Sequence, residues 1–98
     1  MRAHMNAATR LLQTAIDVIE QRRKTYGPPD QHFARTAAAV SAIFADKLRS
    51  PLTASDWAQI MIIDKLARHQ GDAPSDDTPI DLAGYAACLA ECEEKNAS

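Results

Sequence analysis

The sequence has few glycines, few aromatic residues and no long apolar run. Its 98 residues include 3 glycines, and none of these belongs to a phosphate-binding glycine loop. A nucleophile elbow and a zinc-protease motif are also absent from the sequence. No apolar run is long enough to cross a membrane, and the amino terminus lacks the continuous apolar core of a signal peptide. We therefore expect a cytoplasmic protein without a membrane partner.

Cysteine, histidine and net positive charge are also scarce. The 2 cysteines, Cys88 and Cys92, lie four residues apart, so a helix places both reduced thiols on one side, and a zinc site there lacks further ligands. His32 and His69 lie at predicted helix ends, where a surface or capping role is the default. The formal net charge of −2 argues against a general DNA- or RNA-coating role, because such proteins carry a net basic face.

The length and composition predict one folded domain over residues 1–98, frayed at 1–5 and 94–98. Helical periodicity appears in four segments, and no segment carries the alternating pattern of a strand. The middle of the third segment, Ile60 to Ile63, is apolar on every side, so we expect a central helix and at least a homodimer. The predicted fold is all-α, a single four-helix bundle-like domain. The predicted helices span about residues 6–24, 30–48, 53–71 and 78–93.

Capping residues mark the starts of the third and fourth helices. Thr53 and Asp56 form a capping-box pattern, in which each side chain bonds the backbone of the other residue. Thr78 suits the N-cap of the fourth helix, Pro79 its first position and Asp81 its third. These residues predict where the two helices begin.

Polar residues in three segments are candidates for a functional site. The first segment, "RRKTYG", contains Arg22, Arg23, Lys24 and Tyr26, and its structural alternative is compensation of the helix dipole plus a turn tyrosine. The second segment, "IIDKLAR", places Asp64, Lys65 and Arg68 on the most apolar helix. A charge in an apolar stripe needs a partner, and Arg68 is spaced to form an ion pair with Asp64.

The third segment is the start of the fourth helix. If this helix begins at Asp77, then Asp77, Asp81 and Tyr85 lie on one face at spacings of four. Paired carboxylates at this spacing supply oxygen ligands to a hard cation such as Mg²⁺ and leave positions for water and phosphate. Helix capping is the alternative role for Asp81. Gly84 suggests the close approach of a backbone or a ligand, with a helix crossing as the alternative.

These segments carry a resemblance to a known family. The motifs K-x-Y-G-x-P from Lys24, K-x-A-R from Lys65 and D-x-x-x-D-x-A-G-Y from Asp77 resemble small uncharacterised proteins common in phages and prophages. The resemblance covers the chain from about Glu20 to Ala87. That family is distantly similar to the all-α nucleoside triphosphate pyrophosphohydrolases of the MazG and dUTPase kind. Those enzymes hold magnesium ions with Glu-x-x-Glu pairs, and no such pair occurs in the second or third helix here.

The resemblance implies a phage- or prophage-type, MazG-like protein that binds or hydrolyses a nucleotide. In a hydrolase, Asp77 and Asp81 would hold Mg²⁺, while Lys65 and Arg68 would stabilise the developing negative charge. The catalytic set would then be Lys65, Arg68 and Asp81, and the nucleotide would contact Lys24, Tyr26, Lys65, Arg68 and Tyr85.

Two alternatives to a hydrolase stay open. The protein is then either a non-catalytic helical oligomer that sequesters a nucleotide or binds a host protein, or a scaffold in which the same residues are architectural. In the architectural interpretation, Asp64 pairs with Arg68, and Asp81 packs beside Lys65. The nucleotide hypothesis, as the sequence supports it, depends on Lys65, Arg68, Asp77 and Asp81 facing one solvent-accessible cleft.

Overall fold

The computed structural model describes residues 5–70 and 77–97. Within these ranges the chain forms four α-helices and one short 3-10 helix, with no strand, which confirms the all-α prediction. In the same ranges, no helix has the length and apolar character needed to cross a bilayer. The α-helices are α1 (Ala7–Tyr26), α2 (Pro29–Ile43), α3 (Ala54–His69) and α4 (Thr78–Ala97), and the 3-10 helix is Ala45–Lys47.

The first two helices are separated by a short turn that local residues determine. Asn6 caps α1, because its side chain accepts a hydrogen bond of 2.8 Å from the backbone N–H of Thr9. Gly27 ends α1 at a φ of 80°, a left-handed conformation that favours glycine, and its N–H donates to the carbonyl of Arg23 at 2.8 Å. Pro29 then occupies the first turn of α2, where its missing N–H costs no helical hydrogen bond.

The second helix is shorter than the sequence pattern predicts. The apolar periodicity predicts helix to Leu48, but α2 ends at Ile43 and the chain continues through Phe44 into the 3-10 helix. Leu48 has an extended backbone and is still half-buried. The apolar spacing therefore continues beyond the residue at which the helix ends. The following loop is tied back to α2 by a 2.7 Å hydrogen bond from the N–H of Leu52 to the hydroxyl of Ser41.

The capping box at the start of α3 is confirmed. The N–H of Thr53 donates to the Asp56 carboxylate at 2.9 Å, and the N–H of Asp56 donates to the Thr53 hydroxyl at 3.1 Å. Two backbone donors that the helix itself leaves without partners are thereby satisfied.

Removing this cap is expected to cost measurable stability. We expect Thr53→Ala to lower the free energy of unfolding by about 1 kcal/mol, because the N–H of Asp56 loses its acceptor. Thr25→Ala is the control, since Thr25 is exposed in the last turn of α1 and its hydroxyl only bonds the carbonyl of Gln21. Urea unfolding of both variants measures the difference, and equal stabilities would show that the box contributes nothing.

The core is small. It lies where α2, α3 and α4 pack together, and most of its side chains are short. Phe33 of α2, Ala58 of α3 and Cys92 of α4 form the buried cluster, and each is at most 4% exposed. Trp57 is partly buried and packs against this cluster. Because alanine and cysteine are small, the helix backbones approach one another closely at these positions.

The helix at the centre of the domain is α4, not α3. Contacts from α4 reach α1, α2 and α3, whereas α3 packs on α4 and α2. The all-round apolar character of α3 does not reflect burial on all sides, because Ile60, Ile63 and Leu66 are exposed. An apolar surface on every side of a helix therefore indicated an uncovered face in this chain rather than a central position.

Candidate functional site

The first turn of α4 is offset by one residue from the predicted start. The N–H of Asp81 donates to the carbonyl of Asp77 at 2.8 Å, so Asp77 precedes the helix and Thr78 is its first residue. The prediction of Thr78 as the N-cap is therefore wrong by one position. Asp81 is the fourth helical residue instead of the third, and its carboxylate is directed to a neighbouring helix.

The charged residues of α3 are engaged in ion pairs. The Lys65 ammonium lies 3.2 Å from the Asp81 carboxylate, and both side chains are only about one-fifth exposed, at 21% and 22%. The Arg68 Nε atom lies 3.1 Å from the carboxylate of Asp64 within the same helix, where the arginine is 70% exposed. Both contacts proposed by the architectural interpretation are present. Of the four residues Lys65, Arg68, Asp77 and Asp81, only Asp81 lines the cavity described next.

A cavity of about 270 Å³ lies between the second half of α1, the start of α2 and the first half of α4. It forms beside the Gly27 turn, where α4 packs against both α1 and α2. Its lining is mainly apolar and aromatic, with a few polar groups. The lining residues are Val18, Ile19, Arg22, Arg23, Tyr26, Gly27, Pro29, His32, Phe33, Ile80, Asp81, Gly84, Tyr85 and Cys88.

Four aromatic rings, each in contact with the next, form one wall of this cavity. The centroids of Tyr26 and His32 lie 6.1 Å apart, and His32 meets Phe33 edge-to-face at 4.6 Å and 86°. The ring of Phe33 is in turn 6.1 Å from that of Tyr85, with an interplanar angle of 35°. Each contact lies within the distance range of favourable aromatic pairs. The wall joins α1, α2 and α4, and Phe33 connects it to the core.

Two arginines from α1 give the cavity a positive side. Arg23 pairs with the Glu91 carboxylate of α4, whereas Arg22 makes no ion pair with any residue in 5–70 or 77–97. Asp81 is the acidic residue among those that line the cavity, and its charge is balanced by Lys65. Burial, reinforced by the charge of Arg35, lowers the pKa of His32, so this ring is mainly neutral near pH 7.

Of the two carboxylates predicted to hold Mg²⁺, that of Asp81 is paired with a lysine in this structure. Lys65 already supplies the positive charge beside the Asp81 carboxylate. Over the described parts of the chain, no group of three His, Cys, Asp or Glu side chains is placed to share a metal ion. Magnesium binding by Asp77 and Asp81 therefore stays a prediction, and it requires Asp81 to leave Lys65.

The structure separates the predicted nucleotide-binding residues into two groups. Tyr26 and Tyr85 line the cavity, as does Asp81 of the predicted catalytic set. The three predicted cations do not: Lys65 and Arg68 form ion pairs, and Lys24 is exposed outside the cavity lining.

Sequence reasoning did not assign His32 to the site and expected it only in a surface or capping role, whereas its ring belongs to the aromatic wall. In the "RRKTYG" segment, Arg22 and Arg23 line the cavity and Lys24 does not. A usable signal existed in the spacing, because Val18, Arg22 and Tyr26 recur every four residues along α1 and therefore share a face.

The two thiols lie beside this cavity and are both free. Cys88 lines the cavity, and Cys92 is buried in the core cluster. Burial, with the nearby charge of Glu91, raises the pKa of Cys88. Burial also raises the pKa of Cys92 to about 11. Both thiols therefore remain protonated near neutral pH, which makes them weak nucleophiles.

Slow labelling of Cys92 is the expected consequence. At pH 8 we expect iodoacetamide to modify Cys92 at least about tenfold more slowly in the folded chain than in urea, because the thiolate fraction falls tenfold per pKa unit. Mass spectrometry of a labelling time course gives both rates. Equal rates in the folded and unfolded chains would contradict the burial of this thiol.

The fold and cavity together define a small all-helical protein with an aromatic, ligand-sized site. Residues 10–93 match the family described as Domain of unknown function (DUF6378), and the chain belongs to this family. It is also similar to the Gene 55 protein of Mycobacterium phage D29, with 32% identity over 75 residues that cover 76% of this chain. The same match covers 47% of the phage protein, so the chain spans about half the length of this relative. No solved structure matches the chain. The prediction of an uncharacterised phage-type family is confirmed at this level.

Proposed function

We propose that the protein binds a nucleotide in the cavity between α1, α2 and α4, and that binding does not require hydrolysis. The observation that carries the proposal is a cavity of about 270 Å³ that combines an aromatic wall with the guanidinium of Arg22. This volume is near the lower end of the roughly 300–1,000 Å³ typical of small-molecule sites. It suits a base or a nucleoside, with phosphates extending towards solvent.

The aromatic wall supports recognition of a flat ring. Tyr26, His32 and Tyr85 line the cavity, and Phe33 holds the wall to the core. Stacking of a base on an aromatic side chain contributes about 1–3 kcal/mol and tolerates different bases, because every base has a π-face. The apolar lining excludes water from the ring and favours the base over the sugar at this depth.

The arginines of α1 support recognition of phosphate. A guanidinium donates two parallel hydrogen bonds to phosphate oxygens, which makes arginine the usual side chain for such groups. Arg22 makes no ion pair within the described ranges and is exposed, so a phosphate reaches it without displacing a carboxylate. Arg23 forms an ion pair with Glu91 of α4. We therefore expect Arg23 to stabilise the cavity wall rather than to bind the ligand.

Hydrolysis of the nucleotide stays a prediction that rests on the distant similarity to MazG-type enzymes. It would use Lys65, Arg68 and Asp81 with Mg²⁺ held by Asp77 and Asp81. The Lys65–Asp81 pair would have to open first, because the carboxylate is bound to lysine at 3.2 Å. A non-catalytic role, such as sequestration of a nucleotide during phage growth, requires no such rearrangement. The similarity of this chain to a phage protein is consistent with such a role.

Thermal unfolding with mono-, di- and triphosphates of each base, with and without magnesium, tests the proposal. We expect at least one nucleotide at about 100 times its dissociation constant to stabilise the protein by roughly 2.7 kcal/mol. Arg22→Gln is expected to weaken binding at least tenfold, because a charge-assisted phosphate contact contributes about 1.5–3 kcal/mol. Lys24→Gln is the matched control, since Lys24 is an exposed cation on the same helix outside the cavity. Equal effects of the two substitutions would contradict the proposed site.

Gly84 offers a second test by filling the cavity. A Cβ atom at Gly84 meets nothing within 4 Å, so alanine fits there without a clash, and leucine fills cavity space. Gly84→Leu should abolish nucleotide binding, whereas Gly84→Ala should retain the fold with slightly higher stability.

Assay of pyrophosphate release separates binding from hydrolysis. Asp81→Asn abolishes turnover if the hydrolase prediction holds, whereas a non-catalytic binder releases no pyrophosphate with either residue. If no nucleotide shifts the unfolding temperature, the proposal fails, and a host protein becomes the favoured partner.

A further inference from the structure

The face of α4 that lines the cavity has an acidic end and an end beside the arginines of α1. Asp81 and Cys88 both line the cavity two helical turns apart, so they share one face of α4. Burial raises the pKa of Cys88, and the charge of Glu91 adds to this rise. The charges of Arg23 and Arg22 act against it, so both guanidinium groups lie near this thiol. Because a helix rises about 1.5 Å per residue, the acidic end and the arginine end are separated by about 10 Å along α4.

Asp81 keeps the capacity to accept hydrogen bonds from a ligand. Its Oδ2 atom lies 3.2 Å from the Lys65 ammonium, and its side chain is 22% exposed. Lys65 approaches from α3, and in the described parts of the chain no residue of α3 lines the cavity. Lys65 therefore does not occupy the cavity itself. A carboxylate accepts about four hydrogen bonds through its two oxygens, so a single ammonium contact does not saturate it.

Asp81 is also the group in the cavity that is best able to distinguish one base from another. The aromatic wall stacks on any base, because every base has a π-face. The proposed contact of Arg22 is with phosphate, which all nucleotides share. Among the described residues that line the cavity, Asp81 carries the one carboxylate. A carboxylate only accepts hydrogen bonds, so it attracts the amino groups of bases and repels their keto oxygens.

We propose that Asp81 selects nucleotides whose base carries an exocyclic amino group and disfavours bases without one, such as uracil and hypoxanthine. This inference rests on the proposed function, because it names the ligand class of the same cavity. The amino groups of bases lie on the edge remote from the sugar, so a nucleotide directs its amino group and its phosphate to opposite ends. That arrangement matches a cavity with the Asp81 carboxylate near one end and Arg22 near the other.

A base without an amino group leaves the carboxylate facing other acceptors. In uracil, the ring N–H lies between two keto oxygens, and a carboxylate that approaches this N–H also meets both of them. In cytosine, an amino group replaces one of these keto oxygens and donates to the carboxylate. A site built to hydrogen-bond one group of a ligand rejects an analogue that lacks it, because a polar group of the site is then left unpaired.

Titration calorimetry with matched pairs of nucleotides tests the proposal. Cytidine and uridine monophosphates differ by one amino group, as do adenosine and inosine monophosphates. We expect the amino member of each pair to bind at least about tenfold more tightly, because its counterpart lacks the hydrogen bond to a charged acceptor. Equal affinities within the pairs overturn this inference and leave the proposed function intact. Failure of every nucleotide to bind overturns both.

Asp81→Asn assigns the preference to this side chain. Asparagine has the same shape but presents an amide donor as well as an acceptor, so the two affinities of a pair are expected to come within about threefold. Asp64→Asn is the matched control, since Asp64 also pairs with a cation of α3 but does not line the cavity. This control is expected to keep the preference of the unmodified chain. An Asp81→Asn chain that keeps the preference, or an Asp64→Asn chain that loses it, overturns the proposal.

The ratio of the two affinities gives an answer even in a less stable variant. A general loss of stability weakens both members of a pair alike, and so does Arg22→Gln, because both members carry the phosphate. If Asp81→Asn does not fold, the double variant Lys65→Met with Asp81→Leu replaces it, since it leaves no charge without a partner. This variant is also expected to lose the preference, and a preference retained in it overturns the proposal.

Discussion

Replacing Phe33 by alanine is expected to lower the free energy of unfolding by about 3–4 kcal/mol. Phe33 is 4% exposed and packs in one cluster with Ala58 and Cys92, which belong to two other helices. Its ring also meets His32 at 4.6 Å and Tyr85 at 6.1 Å. Because the neighbouring core residues are small, nothing nearby expands to fill the space that the ring leaves. The loss is therefore expected to fall within the range of about 3–5 kcal/mol that is usual for truncation of a buried phenylalanine.

Phe44→Ala provides the matched control for this prediction. Phe44 is the same residue type one position beyond the same helix, but it is 48% exposed. Its truncation is expected to cost about 1 kcal/mol or less, because about half of the ring is already in water. Urea unfolding at one fixed protein concentration compares the two variants. A similar cost at both positions would mean that the Phe33 cluster is not the centre of the core.

Breaking the Lys65–Asp81 pair is the second large effect we expect. Lys65→Met should cost about 2 kcal/mol, because it leaves the Asp81 carboxylate about four-fifths buried without its counter-charge. This figure is below the roughly 3–5 kcal/mol found for fully buried pairs, since solvent still reaches both groups. The double variant Lys65→Met with Asp81→Leu should recover most of the loss, because no charge is then left behind.

The second ion pair of α3 is the natural comparison. Arg68→Met breaks the Asp64–Arg68 pair at 3.1 Å, but the arginine is 70% exposed and the two residues lie one turn apart on the same helix. The expected cost is within about 0.5 kcal/mol, as for other exposed pairs. If Lys65→Met proved as mild as Arg68→Met, or if Asp81→Asn raised stability, the pair would not be architectural. The hydrolase prediction for Asp81 would then gain weight.

Local signals in the sequence predicted the helices well. Asn6, Gly27, Pro29 and the Thr53 capping box act through bonds or dihedral angles within a few residues, and each marks a helix end in the structure. The errors arose where one sequence pattern is compatible with more than one three-dimensional arrangement. The apolar spacing of α2 continues to Leu48, although the helix has already ended at Ile43.

The candidate site was only partly predictable for a related reason. Tyr26 and Tyr85, both predicted to contact a nucleotide, line one cavity, and so does Arg22 of the "RRKTYG" candidate segment. His32 was expected only in a surface or capping role, because the sequence does not specify how α4 packs against α1 and α2. Lys65 and Arg68 looked equivalent in sequence. Only the packing of α3 on α4 gives Lys65 a cross-helix carboxylate and leaves Arg68 with a neighbour on its own helix.

The sequence by itself determined that the chain is all-helical, where three of the four helices begin, and which phage-type motifs it carries. Those features depend on backbone dihedral angles, caps and hydrophobic periodicity, which act within one or two helical turns. Tertiary structure decided that α4 is the central helix, that Asp81 meets Lys65, and that four aromatic rings from three helices form one wall of a cavity. These outcomes depend on the packing of helices at small residues such as Ala58 and Cys92. Such contacts join positions far apart in the chain, so local sequence patterns do not specify them.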